Sequence, residues 1–402
     1  MRVLLVSHTC MSRTAGQPKL HCLAEHEDIE LVALVPDRMC TYDEWHGADP
    51  VEGARFRYVV GRTRWQYIRR QWYLLHYKDT VGRLIREFQP DVVDIWEEPW
   101  SLVSAQCIYL TKRLAPGARV IGETEQNIYK HLPQPFRSFQ NYSLRNADFM
   151  VARNSEAIEV LRRKGYTGPA RTVPNAVDCK LFRPLPESER LAVRASLDLD
   201  ARAFVVGYVG RLVPEKGLAD AVRAIAALPE TRLLFVGAGP AQEELRTLAE
   251  QEGAGNRVTF AGGRPLTELP GIMNALDVLI LPSHTTASWK EQFGRVLIEA
   301  GACGVAVVGS SSGAIPEVVE DAGLVFPERD PEALAAALKR LKDDPELLKR
   351  CGEVGFERAT TKFSWECVAA QMREIYRKNL GLGSAGDSFA SPPTVAGTGR
   401  AG

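Results

Sequence analysis

Short apolar runs alternate with longer amphipathic stretches along the first half of the chain. Runs rich in β-branched residues predict buried strands at Arg2–Ser7, Ile29–Val35, Asp91–Trp96, Arg119–Gly122 and Phe149–Ala152. Helical periodicity fills intervals between them, near 14–26, 101–114 and 155–164. This alternation is typical of βαβ units, in which helices cover both faces of a parallel sheet.

The same alternation starts again after residue 200. Strand-like runs follow at Phe204–Gly210, Arg232–Val236, Val258–Ala261, Val278–Leu281 and Ala306–Gly309. Helical stretches lie near 216–227, 240–252, 266–275, 294–303, 331–342, 345–359 and 363–378. Two such series predict an α/β protein built from two doubly wound, Rossmann-like domains.

The domain junction is predicted where strand residues give way to turn residues, at Val173–Asp178. We therefore assign 1–174 to an N-terminal domain and 175–380 to a C-terminal domain. Residues 381–402 contain six glycines and two prolines and show no periodicity, which predicts a disordered tail.

Composition narrows the class of protein without naming a function. The 402 residues include 50 Lys+Arg and 50 Asp+Glu, and this neutral total argues against a nucleic-acid partner, which would require a surplus of cations. Eight scattered cysteines without a C-x-x-C pair predict reduced thiols in a cytoplasmic protein. The apolar run Val3–Val6 is too short for a signal peptide, and no run is long enough to cross a bilayer.

A first candidate for chemistry is the turn that follows the strand at 204–210. Arg211 follows Gly210, and Lys216 comes five residues later at the start of a helix. Both cations are then expected at the carboxyl end of the strand, where open α/β sheets bind ligands, and together they suit a diphosphate. The alternative is a pair of solvated surface cations.

A second candidate is a pair of glutamates eight residues apart. Glu291 precedes a predicted helix start at Gly294, and Glu299 lies in an apolar stretch of that helix. A buried carboxylate needs a polar partner, and the vicinal hydroxyls of a sugar or ribose would provide one. The alternative for Glu299 is a solvent-facing position on an amphipathic helix.

Two glycine loops follow strands at the same predicted edge. The first surrounds Gly313 in Gly309–Val319, and the second surrounds Gly237 in Phe235–Pro240. Loops of this kind expose backbone N–H groups at a helix start, and such groups bind phosphate oxygens. Each loop is also compatible with an ordinary tight turn.

The four motifs occur in a specific order: Gly-Arg-x4-Lys-Gly, V-G-x-G-P, E-x-F-G-x4-E-A and G-x-P-E-V-V. In this order they strongly resemble the donor-binding domain of the retaining glycosyltransferases of family 4 (glycosyl transferases group 1), which have the GT-B fold. The resemblance is close over about 170–330, including Pro174–Asp178, which is similar to that family's interdomain P-N-G-V-D. Over 1–170 it holds only in outline.

The resemblance implies two domains that face an interdomain cleft and a C-terminal helix that packs back on the N-terminal domain. It also implies roles for individual residues. Arg211 and Lys216 would neutralise the leaving diphosphate, and Glu291 would hold hydroxyls of the transferred sugar. The implied donor-binding positions are Gly16, Gly210, Gly237, Arg264, Phe293, Gly294, Glu299 (ribose) and Gly313 (phosphate oxygens).

The implied activity is hexosyl transfer from a UDP- or GDP-linked sugar to a saccharide or lipid-linked glycan, as in polysaccharide biosynthesis. The resemblance further implies retention of anomeric configuration, with a diphosphate oxygen as the base, and no divalent metal or other cofactor. Whether the donor base is uracil or guanine depends on contacts, near Arg264 among other places, that the sequence does not determine.

The N-terminal half is expected to hold the acceptor, and it departs from the family pattern. Members commonly carry a histidine after the fourth or fifth strand, where this chain has Gly122–Asn127 without one. Glu125 or Asn127 would take its place, or the segment is only a structured loop. Glu98, after the preceding strand, is a similar candidate.

The stretch 55–78 is basic and aromatic. It holds seven cations, seven aromatic residues and no acid. A surface of this kind docks on anionic lipid, which would make the protein peripheral to the inner face of the cell membrane. The alternative is a helix with aromatic residues in the core and arginines in solvent.

Two other functions compete with glycosyl transfer. A sugar-nucleotide epimerase has the same two-domain shape, although the Gly-Arg-x4-Lys motif and the paired glutamates disfavour it. A catalytically silent nucleotide-sugar-binding or scaffold protein is compatible with the missing histidine.

Overall fold

The computed structural model describes residues 1–41, 44–64 and 71–382. In the N-terminal half of these residues the strands are β1 (Arg2–Val6), β2 (Glu30–Pro36), β3 (Arg38–Thr41), β4 (Glu44–Gly47), β5 (Arg57–Gly61), β6 (Thr63–Arg64), β7 (His76–Tyr77), β8 (Val92–Ile95), β9 (Arg119–Thr124), β10 (Phe149–Ala152) and β11 (Ala170–Thr172). The helices are α1 (Gln17–Ala24), α2 (Thr80–Phe88), α3 (Leu102–Leu114), α4 (Phe136–Asn146) and α5 (Ser155–Arg163).

Seven of these described strands form a parallel sheet in the order β11-β10-β9-β8-β1-β2-β5. The inner strand β1, between β8 and β2, contains a continuous apolar run, Val3–Val6, whose residues are fully buried. A parallel strand covered by helices on both faces requires such a run, because neither face meets water. Two short antiparallel pairs, β3–β4 and β6–β7, lie outside the sheet.

The C-terminal half repeats this design. Its described strands are β12 (Phe204–Val209), β13 (Thr231–Val236), β14 (Val258–Gly262), β15 (Val278–Leu281), β16 (Ala306–Ser310) and β17 (Gly323–Phe326), in the parallel order β14-β13-β12-β15-β16-β17. The helices are α6 (Glu187–Ser196), α7 (Leu218–Ala226), α8 (Gln242–Gln251), α9 (Leu269–Ala275), α10 (Arg295–Ala302), α11 (Ile315–Val319), α12 (Pro331–Asp343), α13 (Pro345–Thr361) and α14 (Trp365–Asn379). The predicted pair of Rossmann-like domains is therefore confirmed.

The last helix leaves the second domain and packs on the first. Val368, Ala369, Met372 and Ile375 of α14 are buried in the same hydrophobic core as the residues of β1 and α1. Arg373 reinforces this packing with an ion pair to Asp28 at 2.8 Å. The predicted return of the C-terminal helix to the N-terminal domain is confirmed.

The two segments that connect the domains lie side by side. The Val177 amide donates to the Phe363 carbonyl at 2.9 Å, and Val177 forms a parallel bridge with Ser364. The sheet of the first domain ends at Thr172, and α6 of the second begins at Glu187.

Where it is described, the basic stretch 55–78 forms strands β5, β6 and β7 and a single 3-10 turn at Trp72–Leu74, so these residues do not form the one helix of the solvated alternative, although its expected division of side chains is found. The described aromatic side chains are partly or fully buried, and Tyr58 donates to the Cys10 carbonyl at 3.0 Å. The described cations are exposed: Arg55, Arg57, Arg62, Arg64 and Lys78. Trp65, Tyr67, Arg69 and Arg70 lie outside the described residues, as does 383–402 of the predicted tail. None of the helices in the described ranges has the length and apolarity of a membrane span.

Candidate active site

The carboxyl-terminal ends of the two sheets face each other across a cleft. Loops that follow β12, β15 and β16 supply the C-terminal wall, and loops that follow β1, β8, β9 and β10 supply the N-terminal wall. Contacts across the cleft, described below, join the segment after β15 to the loops after β9 and β10. Ligands of open α/β sheets bind at this end of the strands, so both walls are candidates for substrate contact.

On the C-terminal wall, Lys216 and Glu291 form an ion pair. Lys216 Nζ lies 2.6 Å from Glu291 Oε2, and Ser283 donates its hydroxyl to the same oxygen at 3.0 Å. Lys216 also lies 4.8 Å from the ring centroid of Trp289. Gly217, next to Lys216, lets the backbone of Pro282 lie close to this loop, because a Cβ there would be 2.0 Å from the Pro282 carbonyl oxygen. Its φ of +65° also favours glycine. The Gly-Arg-x4-Lys-Gly motif and the E-x-F-G-x4-E-A motif thus meet at the Lys216–Glu291 ion pair.

The loop after β16 packs against the same glutamate. The Glu291 carbonyl accepts a hydrogen bond from the Ala314 amide at 3.0 Å. Gly313 has φ +55°, and a Cβ there would lie 2.1 Å from the Glu291 carbonyl oxygen. Any larger residue would push the loop away from Glu291, so the sequence Gly313-Ala314 fixes the distance between the two loops.

The turn after β12 is held by the neighbouring strand ends. Gly210 donates its amide to the Val236 carbonyl at 2.9 Å, and Gly237 donates to the Gly262 carbonyl at 2.8 Å. The Tyr208 hydroxyl donates to the Arg211 carbonyl at 2.8 Å. The Arg211 side chain is about half exposed and lies 3.9 Å from Glu215. Arg211 is therefore fixed through its backbone while its guanidinium lies at the surface.

Helix α10 carries the remaining residues of the E-x-F-G-x4-E motif. Gly294 is its N-cap, and the buried Phe293 ring packs edge-on against Phe363 at 6.0 Å. Glu299 is buried, and burial raises its carboxyl pKa against the opposing effect of Arg295, 3.5 Å away. Glu299 thus pairs with Arg295, one helical turn earlier, and its predicted contact with sugar or ribose hydroxyls stays a prediction.

Arg264 and Gly16 have contacts within their own loops. Arg264 donates to the Ala261 carbonyl at 3.1 Å and pairs with Glu268 at 3.5 Å. Gly16 caps α1 and packs closely against the backbone of Thr9 and Cys10. Their predicted donor-binding roles stay predictions.

The N-terminal wall contains a cavity of about 440 Å³ that we call the cleft cavity. It is lined by His8, Thr9, Trp96, Glu97, Glu98, Trp100, Glu123, Thr124, Glu125, Gln126, Lys130, Leu132 and, from the C-terminal domain, Gln292. The predicted acceptor-side residues Glu98 and Glu125 both lie in this lining. Asn127 lies beside it, at the boundary with the C-terminal wall.

His8 is a site residue that the sequence did not single out by itself. Its backbone N–H donates to Glu97 Oε1 at 2.6 Å, and its Nδ1 lies 2.7 Å from Glu97 Oε2. Burial opposes the charged ring, but Glu97, reinforced by Glu125, raises the pKa of His8 above its ordinary value. A histidine in the cleft is therefore present, on the loop after β1 rather than after β8 or β9.

Glu98 is held by the next strand end. Its Oε1 accepts the Glu125 amide at 2.7 Å, and its Oε2 accepts the Thr124 hydroxyl at 2.8 Å. Burial raises the pKa of Glu98 to about 7. The Glu125 carboxylate lies 3.5 Å from Arg153 Nε and is two-fifths exposed, so it is the more accessible of the two.

Asn127 joins the two walls. Its Nδ2 donates to the Glu291 carbonyl at 2.8 Å and to Glu156 at 3.2 Å, and Glu156 also pairs with Lys290. Gln292 donates back to the Glu125 carbonyl at 3.0 Å. The Glu291 backbone is thus held by one residue from each domain, which no sequence motif indicated.

A buried ionic network lies beneath the cleft cavity. Lys19 Nζ is 2.5 Å from Glu123 Oε1 and 3.5 Å from Asp94 Oδ2, and Arg153 pairs with the other side of Glu123. The Tyr376 hydroxyl of α14 donates to Asp94 at 2.6 Å. Burial raises the pKa of Asp94 to about 7, whereas Arg153 and Lys19 outweigh burial and lower that of Glu123.

Comparison with known proteins shows the family to which the chain belongs. Residues 189–358 match the family described as "Glycosyl transferases group 1". A D-inositol 3-phosphate glycosyltransferase of Corynebacterium jeikeium is 31% identical over 323 residues, which are 76% of this chain and 71% of that protein. A GDP-mannose-dependent alpha-(1-6)-phosphatidylinositol monomannoside mannosyltransferase of Mycobacterium tuberculosis is 35% identical over 52% of this chain, and the match covers 57% of that protein.

Solved structures share the fold. A sucrose-phosphate synthase from Thermosynechococcus elongatus superposes with a TM-score of 0.70 at 23% identity, covering 95% of this chain and 100% of that chain. HepE from Anabaena, solved in complex with UDP, gives 0.70 at 20% identity, covering 94% and 100%. The chain belongs to the glycosyl transferases group 1 family and has the GT-B fold.

Proposed function

We propose that this protein transfers a hexose from a UDP- or GDP-linked sugar to a glycan or lipid-linked acceptor, with retention of configuration and without a divalent metal. The observation that carries the proposal is the convergence of Lys216, Glu291 and the Gly313 loop opposite the cleft cavity. These groups place a cation, hydroxyl-binding carboxylate oxygens and backbone amides where donor and acceptor would meet.

The chemistry requires such an arrangement. Breaking the anomeric C–O bond leaves positive charge on the sugar and negative charge on the departing diphosphate. A preorganised cation in a water-poor cleft stabilises the second charge, and one donor of this kind typically contributes about 3–4 kcal/mol. Lys216 is mostly buried and already oriented by Glu291, so it needs little rearrangement to contact a phosphate oxygen.

Donor binding would replace the Lys216–Glu291 contact. In the cleft without substrate the two side chains neutralise each other. With a donor, Lys216 would turn to the diphosphate, and Glu291 would accept hydroxyls of the hexose while its carbonyl stays bound to Asn127 and Ala314. Glu299, buried beside Arg295, would accept the ribose hydroxyls.

Retention of configuration is part of our proposal, and the resemblance to the family supports it. The acceptor hydroxyl approaches from the face that the leaving group occupies and gives its proton to a diphosphate oxygen. The new C–O bond forms as the C–O bond to phosphate breaks, so no enzyme carboxylate is needed as a nucleophile. The relatives named for inositol phosphate and for phosphatidylinositol mannosides favour a cyclic polyol or a lipid-linked glycan as acceptor class.

The test is a panel of UDP- and GDP-sugars incubated with the full chain, with nucleotide release and product structure as readouts. We expect one donor to release nucleotide, faster with acceptor than without, and the glycoside to keep the donor's anomeric configuration by NMR. A new nucleotide sugar without release would indicate an epimerase. Binding without either reaction would indicate a scaffold. Activity that disappears with EDTA and returns with Mg²⁺ would contradict metal independence.

We also propose that the exposed cations on and beside β5–β7 hold the cytoplasmic protein against the inner face of the membrane. Tyr73, close to these strands, packs against Trp100 of the cleft-cavity lining at 5.3 Å, so a docked membrane would lie near the acceptor. We expect co-sedimentation with liposomes containing phosphatidylserine at low salt and loss of binding at 0.5 M NaCl, because salt screens surface charge.

A matched variant makes this measurement specific. Replacing Arg55, Arg57, Arg62 and Arg64 with glutamine should abolish co-sedimentation, whereas the same change at Arg202, Arg246, Arg340 and Arg350, four exposed arginines of the C-terminal domain, should not. Equal sedimentation of the protein with neutral and anionic vesicles would contradict the proposal.

A further inference from the structure

Four consecutive residues between β15 and α10, 289–292, form a segment that we call the cleft strap. Its first and third side chains lie on the donor side of the cleft. The Trp289 ring centroid is 4.8 Å from Lys216 Nζ, and Glu291 Oε2 is 2.6 Å from the same atom. Both side chains therefore contact the cation that the proposed function assigns to the donor diphosphate.

The second and fourth side chains of the cleft strap contact the N-terminal domain. Lys290 forms an ion pair with Glu156 of α5, and Gln292 donates its side-chain amide to the Glu125 carbonyl at 3.0 Å. Alternation with a period of two is the pattern of extended backbone, in which successive side chains lie on opposite faces. Each residue of the cleft strap thus contacts one of the two sides, and the strap joins them.

The N-terminal domain meets the cleft strap at the start of α5. Asn154 is the N-cap of this helix and donates its side-chain amide to the Gln292 carbonyl. Ser155 donates its backbone amide and its hydroxyl to Glu317, at 3.1 Å and 3.0 Å. Glu156 follows with the ion pair to the strap. Three consecutive residues therefore contact the C-terminal domain, so this helix start is a docking point between the domains.

The ion pair between Lys290 and Glu156 lies next to the proposed hexose-binding residue. The two side chains are 19% and 32% exposed, and partly buried pairs are screened less than exposed ones. The Asn127 amide donates to Glu156 at 3.2 Å and to the Glu291 carbonyl at 2.8 Å. Because Lys290 and Glu291 are neighbours in the chain, these contacts fix the backbone that carries the Glu291 carboxylate.

This support matters most when the donor is bound. In the proposed reaction Lys216 turns from Glu291 to the diphosphate, so the carboxylate loses its ionic partner and keeps the Ser283 hydroxyl. The position of the carboxylate then depends on the backbone of the cleft strap, and the strap is held from the N-terminal domain.

We propose that Lys290 and Glu156 are positioning residues for the donor sugar, because their ion pair holds the cleft strap where Glu291 meets the hexose hydroxyls. This inference rests on the proposed function, which assigns the hexose to Glu291. The nucleoside diphosphate part of the donor is bound by other groups and does not depend on the pair. The N-terminal domain thereby takes part in recognition of the donor sugar through an ion pair that does not contact it.

The experiment compares two ligands of the full chain by isothermal titration calorimetry. One is the nucleotide sugar that releases nucleotide in the donor panel, and the other is its own nucleoside diphosphate, UDP or GDP. Lys290→Gln should weaken binding of the nucleotide sugar about fivefold, in the range of couplings between residues in contact. Binding of the diphosphate, which has no hexose, should be unchanged. Equal weakening of both ligands, or of neither, would overturn the inference.

A double-mutant cycle assigns the effect to the pair. Glu156→Gln removes the charge but keeps an oxygen that can accept the Asn127 amide. It should cause the same selective loss as Lys290→Gln, and the double variant should lose no more than either single variant, because the pair can be broken only once. Losses that add in the double variant would count against the inference.

Lys349→Gln is the matched control, since Lys349 is an exposed lysine of α13 that pairs with Glu353 one turn away. We expect it to change neither affinity. Thermal unfolding of all variants shows whether the fold is kept, and a Lys290→Gln variant that unfolds early and loses affinity for both ligands would reveal only a structural role.

This inference and the proposed function fail in distinguishable ways. If no nucleotide sugar of the panel binds the unchanged protein, the proposed function is rejected and the inference falls with it. If a nucleotide sugar binds and reacts, but Lys290→Gln affects it no more than it affects the diphosphate, the transferase stands and only the role of the ion pair is rejected.

Discussion

Replacing Lys216 with alanine is expected to lower the turnover number for sugar transfer about 100- to 1,000-fold, the usual loss when one preorganised charge-stabilising donor is removed. Lys216 is the cation that the structure places on Glu291, at 2.6 Å and with 15% of its side chain exposed. In the proposed reaction, the departing diphosphate would then lose a mostly buried counter-charge. The loss should fall mainly on kcat, because the charge that Lys216 is proposed to stabilise would be largest in the transition state.

The measurement is steady-state nucleotide release with the preferred donor of the panel. Lys339→Ala is the matched control, since Lys339 is an exposed lysine of α12 that pairs with Asp343 one turn away. Thermal unfolding of both variants shows whether the fold is kept. Glu291 retains the Ser283 hydroxyl in Lys216→Ala, so we expect a folded protein. Turnover within twofold of the unchanged protein would reject the assigned role of Lys216.

Replacing Lys19 with methionine is expected to destabilise the protein by about 3–5 kcal/mol, the usual cost of removing one partner of a buried ion pair. Lys19 is 1% exposed and is the cation shared by Asp94 and Glu123. Methionine keeps the apolar stem beside Trp96, but the donor that remains on Asp94 is the Tyr376 hydroxyl, which is neutral. Chemical denaturation followed by circular dichroism measures the change.

The loss of stability should depend on pH. Asp94 already has a raised pKa of about 7, and removal of Lys19 raises it further. A carboxyl whose pKa is higher in the folded state binds more protons there than in the unfolded chain, so stability falls as pH rises through that pKa. We expect the deficit of Lys19→Met to be larger at pH 8 than at pH 5.5.

Lys339→Met serves as the control here too, because an exposed pair contributes less than about 1 kcal/mol. A Lys19→Met deficit below 1 kcal/mol at pH 8, or one that grows as the pH falls, would contradict the account of the network.

The donor side was largely predictable because its information is local. Each motif there is a strand followed by a loop and a helix, and parallel strands bring such loops to one edge whatever the details of packing. The Gly-Arg-x4-Lys loop and the E-x-F-G loop therefore meet, as Lys216 and Glu291 show. The sequence did not predict that these two residues would pair with each other in the absence of substrate.

The acceptor side was less predictable because its contacts are distant in sequence. His8 meets Glu97 across 89 residues, and Asp94 meets Tyr376 across 282. Neither pair has a characteristic spacing, and both depend on sheet order and on the path of α14. Helices α2, α4 and α6 were not predicted. In α4, residues such as Asn141 and Asn146 favour a helix weakly, and the buried Leu144 packs it against its neighbours.

The chain passes between the domains twice, near Val177 and near Phe363, and the two connecting segments are adjacent. This arrangement limits how the protein can be divided into fragments. Helix α14 completes the hydrophobic core of the N-terminal domain, so a fragment that stops near Val177 would expose the apolar face on which Ile375 and Met372 lie. The two halves are therefore joined by two chain segments that lie side by side and bond to each other. A functional N-terminal lobe produced alone would need α14 joined to it through an engineered linker.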